Sequence, residues 1–299
     1  MNIGIINIEP SINNTAYMQI ARYYKSKGHK VEWWSPENHK QFNAVFCSSL
    51  FTYTDKSQIP DDVITGGTGY NVKSRLSKVI ENSQLDYSIY PLCDTSYIWF
   101  SRGCKRQCPW CIVHDKEGDI HPVDPKNLNP AGRTITVCDN SFFENPEWEK
   151  SIEFLRDKNL PCDIQGIDVR TITLRQAHSL TKIIRKKHKR FKIAWDNPYD
   201  EQAVMKGISL MTRFIPPYDL MCYVLIGRQP SDHDLYRVNK LKSMKINPFV
   251  MPLDKNDFYQ KTFARWVNHK AIFKSVTWEK YFNRQWKKEE KLLGRDQRL

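Results

Sequence analysis

No stretch of this 299-residue sequence comes near the roughly 18 uninterrupted apolar residues that a membrane-crossing helix needs. The opening, MNIGIINIEP, lacks a basic lead, an apolar core and a small-residue cleavage site, so no secretory leader is expected and the expected compartment is the cytoplasm. Eight cysteines are too few for a disulfide scaffold in a chain of this length. Acidic residues are also short, 33 Asp+Glu against 46 Lys+Arg, which leaves a formal charge of +13. That excess favours an anionic partner or substrate, nucleic acid first among them, and says nothing about fold. An ordinary basic protein kept soluble by its charge has the same balance. With 26% charged and 40% hydrophobic residues, global disorder is excluded, and the length supports one large domain or two modest ones.

The first ninety residues alternate short apolar runs with helical spacing. Asn2 to Ile8, Val31 to Trp34, Ala44 to Phe51 and Val63 to Thr65 read as buried strands, and Tyr17 to Lys27 as a helix stopped by Gly28. This rhythm predicts a small parallel, doubly wound sheet, whose ligands sit beyond the carboxyl ends of its strands. Gly66-Gly67-Thr68-Gly69 follows the fourth strand, but it lacks the spacing of a dinucleotide fingerprint or a P-loop and reads equally as a tight turn.

From about Ser96 the cadence changes. Tyr97–Ser101, Thr134–Cys138, Cys162–Val169, Phe191–Trp195, Leu220–Ile226 and Pro248–Leu253 read as six further strands, with helices expected at 146–158, 174–187 and 232–244. Strand-then-helix units imply parallel pairing, and six of them make a partial (β/α)6 barrel rather than the full eight-stranded form. Asp139-Asn140, Asp168 and Arg170, Asp196-Asn197 and Gly227 recur at strand carboxyl ends, the face where barrel enzymes do chemistry. Each Asp or Asn also reads singly as a helix cap.

Residues 256–299 interleave Phe263, Trp266, Phe273, Trp278, Tyr281, Phe282 and Trp286 with basic residues; 11 Lys+Arg against 4 Asp+Glu follow from Lys261 onward. Such a tail either stacks on nucleic acid or packs its aromatics inward as a helical cap with its charges in water. A second basic run, Arg185 to Arg190, falls at an expected helix end, where cations complement the dipole.

The most specific pattern is Cys104-Lys-Arg-Gln-Cys108-Pro-Trp-Cys111. Three thiolates within eight residues suit zinc or an iron–sulfur cluster. A structural zinc site would take His114 as its fourth ligand, although no second cysteine pair exists to complete the usual arrangement. Three cysteines on a four-iron cluster leave one iron without a protein ligand, an open position suited to catalysis.

CxxxCxxC after the first strand of such a barrel, with aromatic Trp110 before the last cysteine, resembles the signature of the radical S-adenosylmethionine (radical SAM) superfamily. Segments CDNSFF (138–143), QGIDVR (165–170), IAWDN (193–197) and YVLIG (223–227) resemble those of a poorly characterised bacterial and phage subgroup. The resemblance implies a partial barrel over 93–255, a small Rossmann-like, cobalamin-binding-like domain over 1–92 and a helical extension over 256–299. It implies a [4Fe–4S] cluster on Cys104, Cys108 and Cys111, with S-adenosylmethionine held by Trp110, Asp139, Asn140, Asp196, Asn197 and Gly227. Reductive cleavage of that cofactor would give a 5′-deoxyadenosyl radical that abstracts hydrogen from an anionic substrate, a nucleic acid or nucleotide, facing Gln165, Asp168 and Arg170. A flavodoxin- or ferredoxin-like electron donor is implied as partner. The usual Gly-Gly-Glu after the second strand is replaced here by Asp139-Asn140. Ser48-Ser49-Leu50 and Gly66-Gly67 resemble contacts to a cobalamin tail, but the DxHxxG that supplies the lower cobalt ligand is missing, so cobalamin is not expected. A tRNA methylthiotransferase needs three N-terminal cysteines for a second cluster, and only Cys47 and Cys93 precede the motif.

Overall fold

The computed structural model describes residues 1–296, which divide into two compact units, the first ending at Cys162 and the second beginning at Asp163. Arg298 of the basic tail lies outside the described residues, as do the side chains of Lys291 and Arg295.

The first unit opens with Asn2–Ile6 (β1), too short and too apolar for a surface helix and buried from Ile3 onward. Thr15–Ser26 (α1) follows, its first turn capped by Asn14, whose side chain accepts from the Ala16 N–H at 3.0 Å. Its buried residues Tyr17, Met18, Ile20 and Ala21 form one stripe, packed with Ile3, Ile5 and Phe46. Lys30–Trp33 (β2), Ala44–Ser48 (β3) and Ile64–Gly66 (β4) complete a sheet in the order β2-β1-β3-β4, parallel throughout. This is the expected small parallel sheet, but only β1 and β3 are buried as expected; β2 and β4 lie at its edges and are largely exposed, with Trp33 and Ile64 among their exposed side chains. Its second face carries a smaller core of Ile6, Val45, Cys47 and Val63, with Trp34 and Phe42 packed against it.

After a single helical turn, Lys78–Glu81 (α2), come Thr95–Ile98 (β5), Ser101–Arg102 (β6), Val113–Glu117 (α3) and His121–Pro122 (β7). Thr134–Val137 (β8) pairs in parallel with β5, Thr95 opposite Thr134 and Ile98 opposite Val137, whereas β6 and β7 pair antiparallel. Trp148–Lys158 (α4) leads to Cys162–Ile164 (β9), where the division between the units falls.

In the second unit, Phe191–Ala194 (β10), Leu220–Ile226 (β11) and Asn247–Pro252 (β12) form a parallel sheet with β11 central. The helix expected over 174–187 is shorter. Leu174–Ser179 (α5) starts at a Thr173/Gln176 capping box and tightens into a 3₁₀ turn ending at Lys182. The basic run 185–190 therefore lies off any helix end: Arg185 pairs with Asp219 at 2.8 Å, and His188 adopts φ +63°. Glu201–Met211 (α6) is a helix for which the sequence reading had no counterpart; it buries Val204, Gly207, Ile208 and Met211. Ser231–Ser243 (α7) matches expectation.

The C-terminal extension is three helices, Phe258–Asn268 (α8), Lys270–Ser275 (α9) and Trp278–Asp296 (α10). Its aromatics pack on one another: Trp266 meets Phe273 at 4.8 Å between ring centres, and Phe263 meets Trp278 at 4.9 Å. The Trp266 indole N–H donates to the Val276 carbonyl at 2.9 Å. The chain is thus mixed α/β with parallel sheets, and among the described residues no helix is long and apolar enough to cross a membrane.

Candidate metal and cofactor site

The cysteine motif sits in a loop whose two ends are tied together. Ser101 pairs with Pro122 and Arg102 with His121, so residues 103–120 leave and return at one point. Inside that neck the Cys104 N–H donates to the Gly118 carbonyl at 3.1 Å, and the Gly103 N–H to Glu117 Oε2 at 3.0 Å. The other Glu117 oxygen takes the Arg102 guanidinium at 2.7 Å. Asn140, just past β8, donates to Glu117 Oε2 at 2.8 Å and to the Gly103 carbonyl at 3.3 Å. Gly103 has φ +79°, and a Cβ there would fall 2.2 Å from the Asp119 carbonyl oxygen, so this crossing requires glycine.

All eight cysteines are thiols rather than disulfides. Cys104 and Cys108 are half-buried and Cys111 is exposed. Burial pushes the Cys104 thiol up; the Arg106 N–H, donating to its Sγ at 3.4 Å, opposes this, and the charges of Glu144, Cys111 and Cys108 reinforce it. The three thiols stand on one closed loop, and thiolate donors with an N–H bonded to sulfur suit a soft inorganic centre. Among the described residues no three His, Cys, Asp or Glu side chains converge as a metal-holding group. The donor set fits such a centre in chemistry, and ligation requires the loop to draw its thiols closer. Trp110 is half-buried within the same turn.

Asp139, 1% exposed, accepts from the Phe100 N–H at 2.9 Å and the Ser101 hydroxyl at 2.6 Å. It fastens the segment that feeds the cysteine loop. Burial raises its carboxyl to about 6 even though both hydrogen bonds act in the opposite direction.

At the carboxyl end of β3, Glu9 fills the loop that follows. Its carboxylate accepts from the Leu50 and Phe51 N–H groups at 3.0 and 3.2 Å and from the Ser49 and Thr54 hydroxyls at 2.9 and 2.7 Å. Burial opposes the charged form, and these bonds together overcome it, so the Glu9 carboxyl lies below its ordinary range. The Gly66–Gly69 loop packs onto the same turn: a Cβ on Gly67 would fall 2.3 Å from the Ser49 carbonyl oxygen, and Gly67 has φ +87°.

A cleft of about 1460 Å³ runs from the carboxyl ends of β3 and β4, at Ser48 and Gly66, to Trp99, Arg102, Glu117 and Asn140 beside the cysteine loop, all within the first unit. Burial lowers the Lys116 ammonium, with like-charge repulsion from Arg75 and Arg102 adding to it; burial likewise lowers Lys126.

In the second unit, Arg170 forms ion pairs of 2.8 Å with both Asp168 and Asp200. Asp196 Oδ1 accepts from the Leu225 N–H at 3.0 Å, and burial raises its carboxyl. Asn197 caps a 3₁₀ turn through the Tyr199 N–H at 3.2 Å. Gln165 stands apart from the Asp168 pair and donates to Asp163 Oδ2 at 2.9 Å. Gly227, at φ +94°, packs against Gln260, where a Cβ would approach Oε1 to 2.3 Å.

No protein-family model matches the chain, and no curated protein matches it.

Three contributors have no counterpart in the sequence reading. Glu117 and Glu9 are single acids in loops, without a pattern around them. The signal for Glu117 was the pair Gly103 and Gly118, both at positive φ, which marks the neck of the loop. Arg237, 1% exposed, donates to the Trp195, Asp196 and Leu225 carbonyls at 2.7, 2.9 and 2.9 Å and pairs with Asp234 at 2.7 Å, so it ties together the carboxyl ends of β10 and β11.

Proposed function

We propose that this chain is a radical SAM enzyme carrying one [4Fe–4S] cluster on Cys104, Cys108 and Cys111. The observation that carries the reading is the closed loop, which carries all three thiols of the CxxxCxxC motif just beyond a strand of a parallel sheet. When bound, the cluster with S-adenosylmethionine supplies one-electron cleavage of the sulfonium and hydrogen abstraction from substrate. The chain's own residues set the loop. Glu117 and Asn140 close its neck, Asp139 fixes the approach at Phe100 and Ser101, and Trp110 offers an apolar face beside Cys111. The partial (β/α)6 barrel over 93–255, the domain 1–92 before it and the extension 256–299 belong to the same reading. Contacts to the cofactor at Asp196, Asn197 and Gly227, and to substrate at Gln165, Asp168 and Arg170, rest on the resemblance alone, as does an external flavodoxin- or ferredoxin-like donor. Cobalamin is left out of the proposal, because the DxHxxG that supplies the lower cobalt ligand is missing from the sequence.

The test is anaerobic reconstitution followed by iron analysis, visible absorption and assay of S-adenosylmethionine cleavage. Cys104→Ala, Cys108→Ala and Cys111→Ala each lose the cluster and cleavage, while Cys47→Ala keeps both. A Cys108→Ala protein that cleaves the cofactor at the normal rate overturns the proposal. One observation favours a second reading, a structural zinc site in a nucleic-acid-binding protein: His114 Nδ1 is buried without a hydrogen-bond partner. A colourless protein with one zinc per chain would select it.

A further inference from the structure

The cleft in the first unit holds cations that the proposed cluster does not use. Lys116 Nζ donates to the Ser74 carbonyl, and Lys126 Nζ to the Glu81 carbonyl at 3.0 Å. Arg75 donates to the Val72, Ser74 and Asp115 carbonyls at 3.0, 3.2 and 3.3 Å. Among the described residues none of the three has a carboxylate at ion-pair distance. An ammonium has three N–H donors, so Lys116 and Lys126 each keep two that no protein acceptor takes. Of the acids lining the cleft, Glu117 is engaged by Arg102, leaving Glu81 and Asp124. The lining thus carries five Lys and Arg side chains, Arg75, Lys78, Arg102, Lys116 and Lys126, against three acids, Glu81, Glu117 and Asp124, an excess that an entering anion would balance.

We infer that this cleft binds the phosphate group of a small organic phosphate, with Arg75, Lys116 and Lys126 as its ligands. The volume, about 1460 Å³, admits a nucleotide-sized molecule. Half-buried Trp99, with the Arg102 guanidinium 5.0 Å above its ring, supplies a flat face for the organic part. A polynucleotide would instead need cations strung along a surface. The two longest basic stretches of the chain, 185–190 and the tail, belong to the other unit. The cleft reaches Ile112, Lys116 and Glu117 of the cysteine loop, so the bound phosphate compound is the substrate of the proposed enzyme. That last assignment rests on the radical SAM reading; the binding does not.

The probe is inorganic pyrophosphate, titrated calorimetrically into the full chain at about 50 mM salt. One saturable site per chain is expected. Lys116→Ala/Lys126→Ala weakens it about tenfold or more, Lys116→Arg/Lys126→Arg retains it, and Lys187→Ala/Lys189→Ala, which removes the same charge from the exposed run, leaves it unchanged. Absence of saturable binding, or equal loss in the 187/189 variant, overturns the inference. So does a single-stranded oligonucleotide of about 12 residues that displaces pyrophosphate and itself depends on Lys116 and Lys126, since a strand would then occupy the cleft. The Cys104→Ala/Cys108→Ala/Cys111→Ala protein separates the two proposals. It binds pyrophosphate normally if the cleft stands alone, whereas a wild-type protein that carries iron but ignores pyrophosphate refutes the cleft and leaves the cluster.

Discussion

Replacing Asp139 by Asn should make the protein's stability less sensitive to pH, in a direction opposite to that of most carboxylates. Asp139 is 1% exposed, and burial raises its carboxyl from 3.8 to about 6. The folded state thus holds this proton more tightly than the unfolded chain does. Stability from it is fully present below about pH 4 and is lost as pH rises through about 6. At about 1.4 kcal/mol per unit, a shift of about 2 units amounts to roughly 3 kcal/mol. The Asn amide is neutral throughout. Its oxygen still accepts from the Phe100 N–H, and its NH₂ faces the Ser101 hydroxyl, which can rotate to accept. Urea unfolding of both proteins between about pH 4 and pH 8 isolates the effect, because every other titrating group cancels in the difference. The wild type should lose about 3 kcal/mol relative to Asp139→Asn across that window. A difference that stays flat, or a wild type that gains relative stability as pH rises, would refute the assignment of burial as the dominant influence.

Arg237→Met leaves Asp234, 0% exposed, without its counterion and should cost about 3–5 kcal/mol. Arg237→Met/Asp234→Leu should recover most of that loss in chemical denaturation, and a double variant no better than the single one would show that the carbonyl contacts dominate. Gly207→Ala in α6 places a Cβ 1.7 Å from the Val169 carbonyl oxygen and should destabilise by about 1–3 kcal/mol as the helix shifts outward. A raised melting temperature, as helix propensity alone predicts, would contradict that packing.

The strands were legible because short apolar runs bounded by polar residues favour a sheet, but their burial was not: as edge strands, β2 and β4 leave Trp33 and Ile64 exposed. The helix α6 carried a readable stripe, Val204, Ile208 and Met211, but Gly207 in its interior weakens the local signal, and its packing against Val169 is a tertiary fact. The opposite happened at 174–187, where helical spacing runs on past Ser179 although a 3₁₀ turn ends the helix at Lys182. At the site, the cysteine spacing singled out 104–111 as a group, and the structure places that group in one closed loop. Its closure was illegible, because Glu117 acts on Gly103 and Asn140, contacts set by the turn of the loop rather than by any local period. Strand-end carboxylates are ambiguous for a related reason. The loops beyond a strand leave main-chain donors unmet, and Asp139 and Asp196 both bond such donors, at Phe100 and Leu225.

Glu9 makes the turn after β3 its own competitor. Being tethered, its carboxylate faces the Leu50 and Phe51 amides at an effective concentration of millimolar or above. A free phosphate or phosphodiester must outbid that resident anion before gaining any contact of its own. The turn after β3 is thus filled by a side chain of the protein itself, and any anion in the cleft must find its donors elsewhere on the lining.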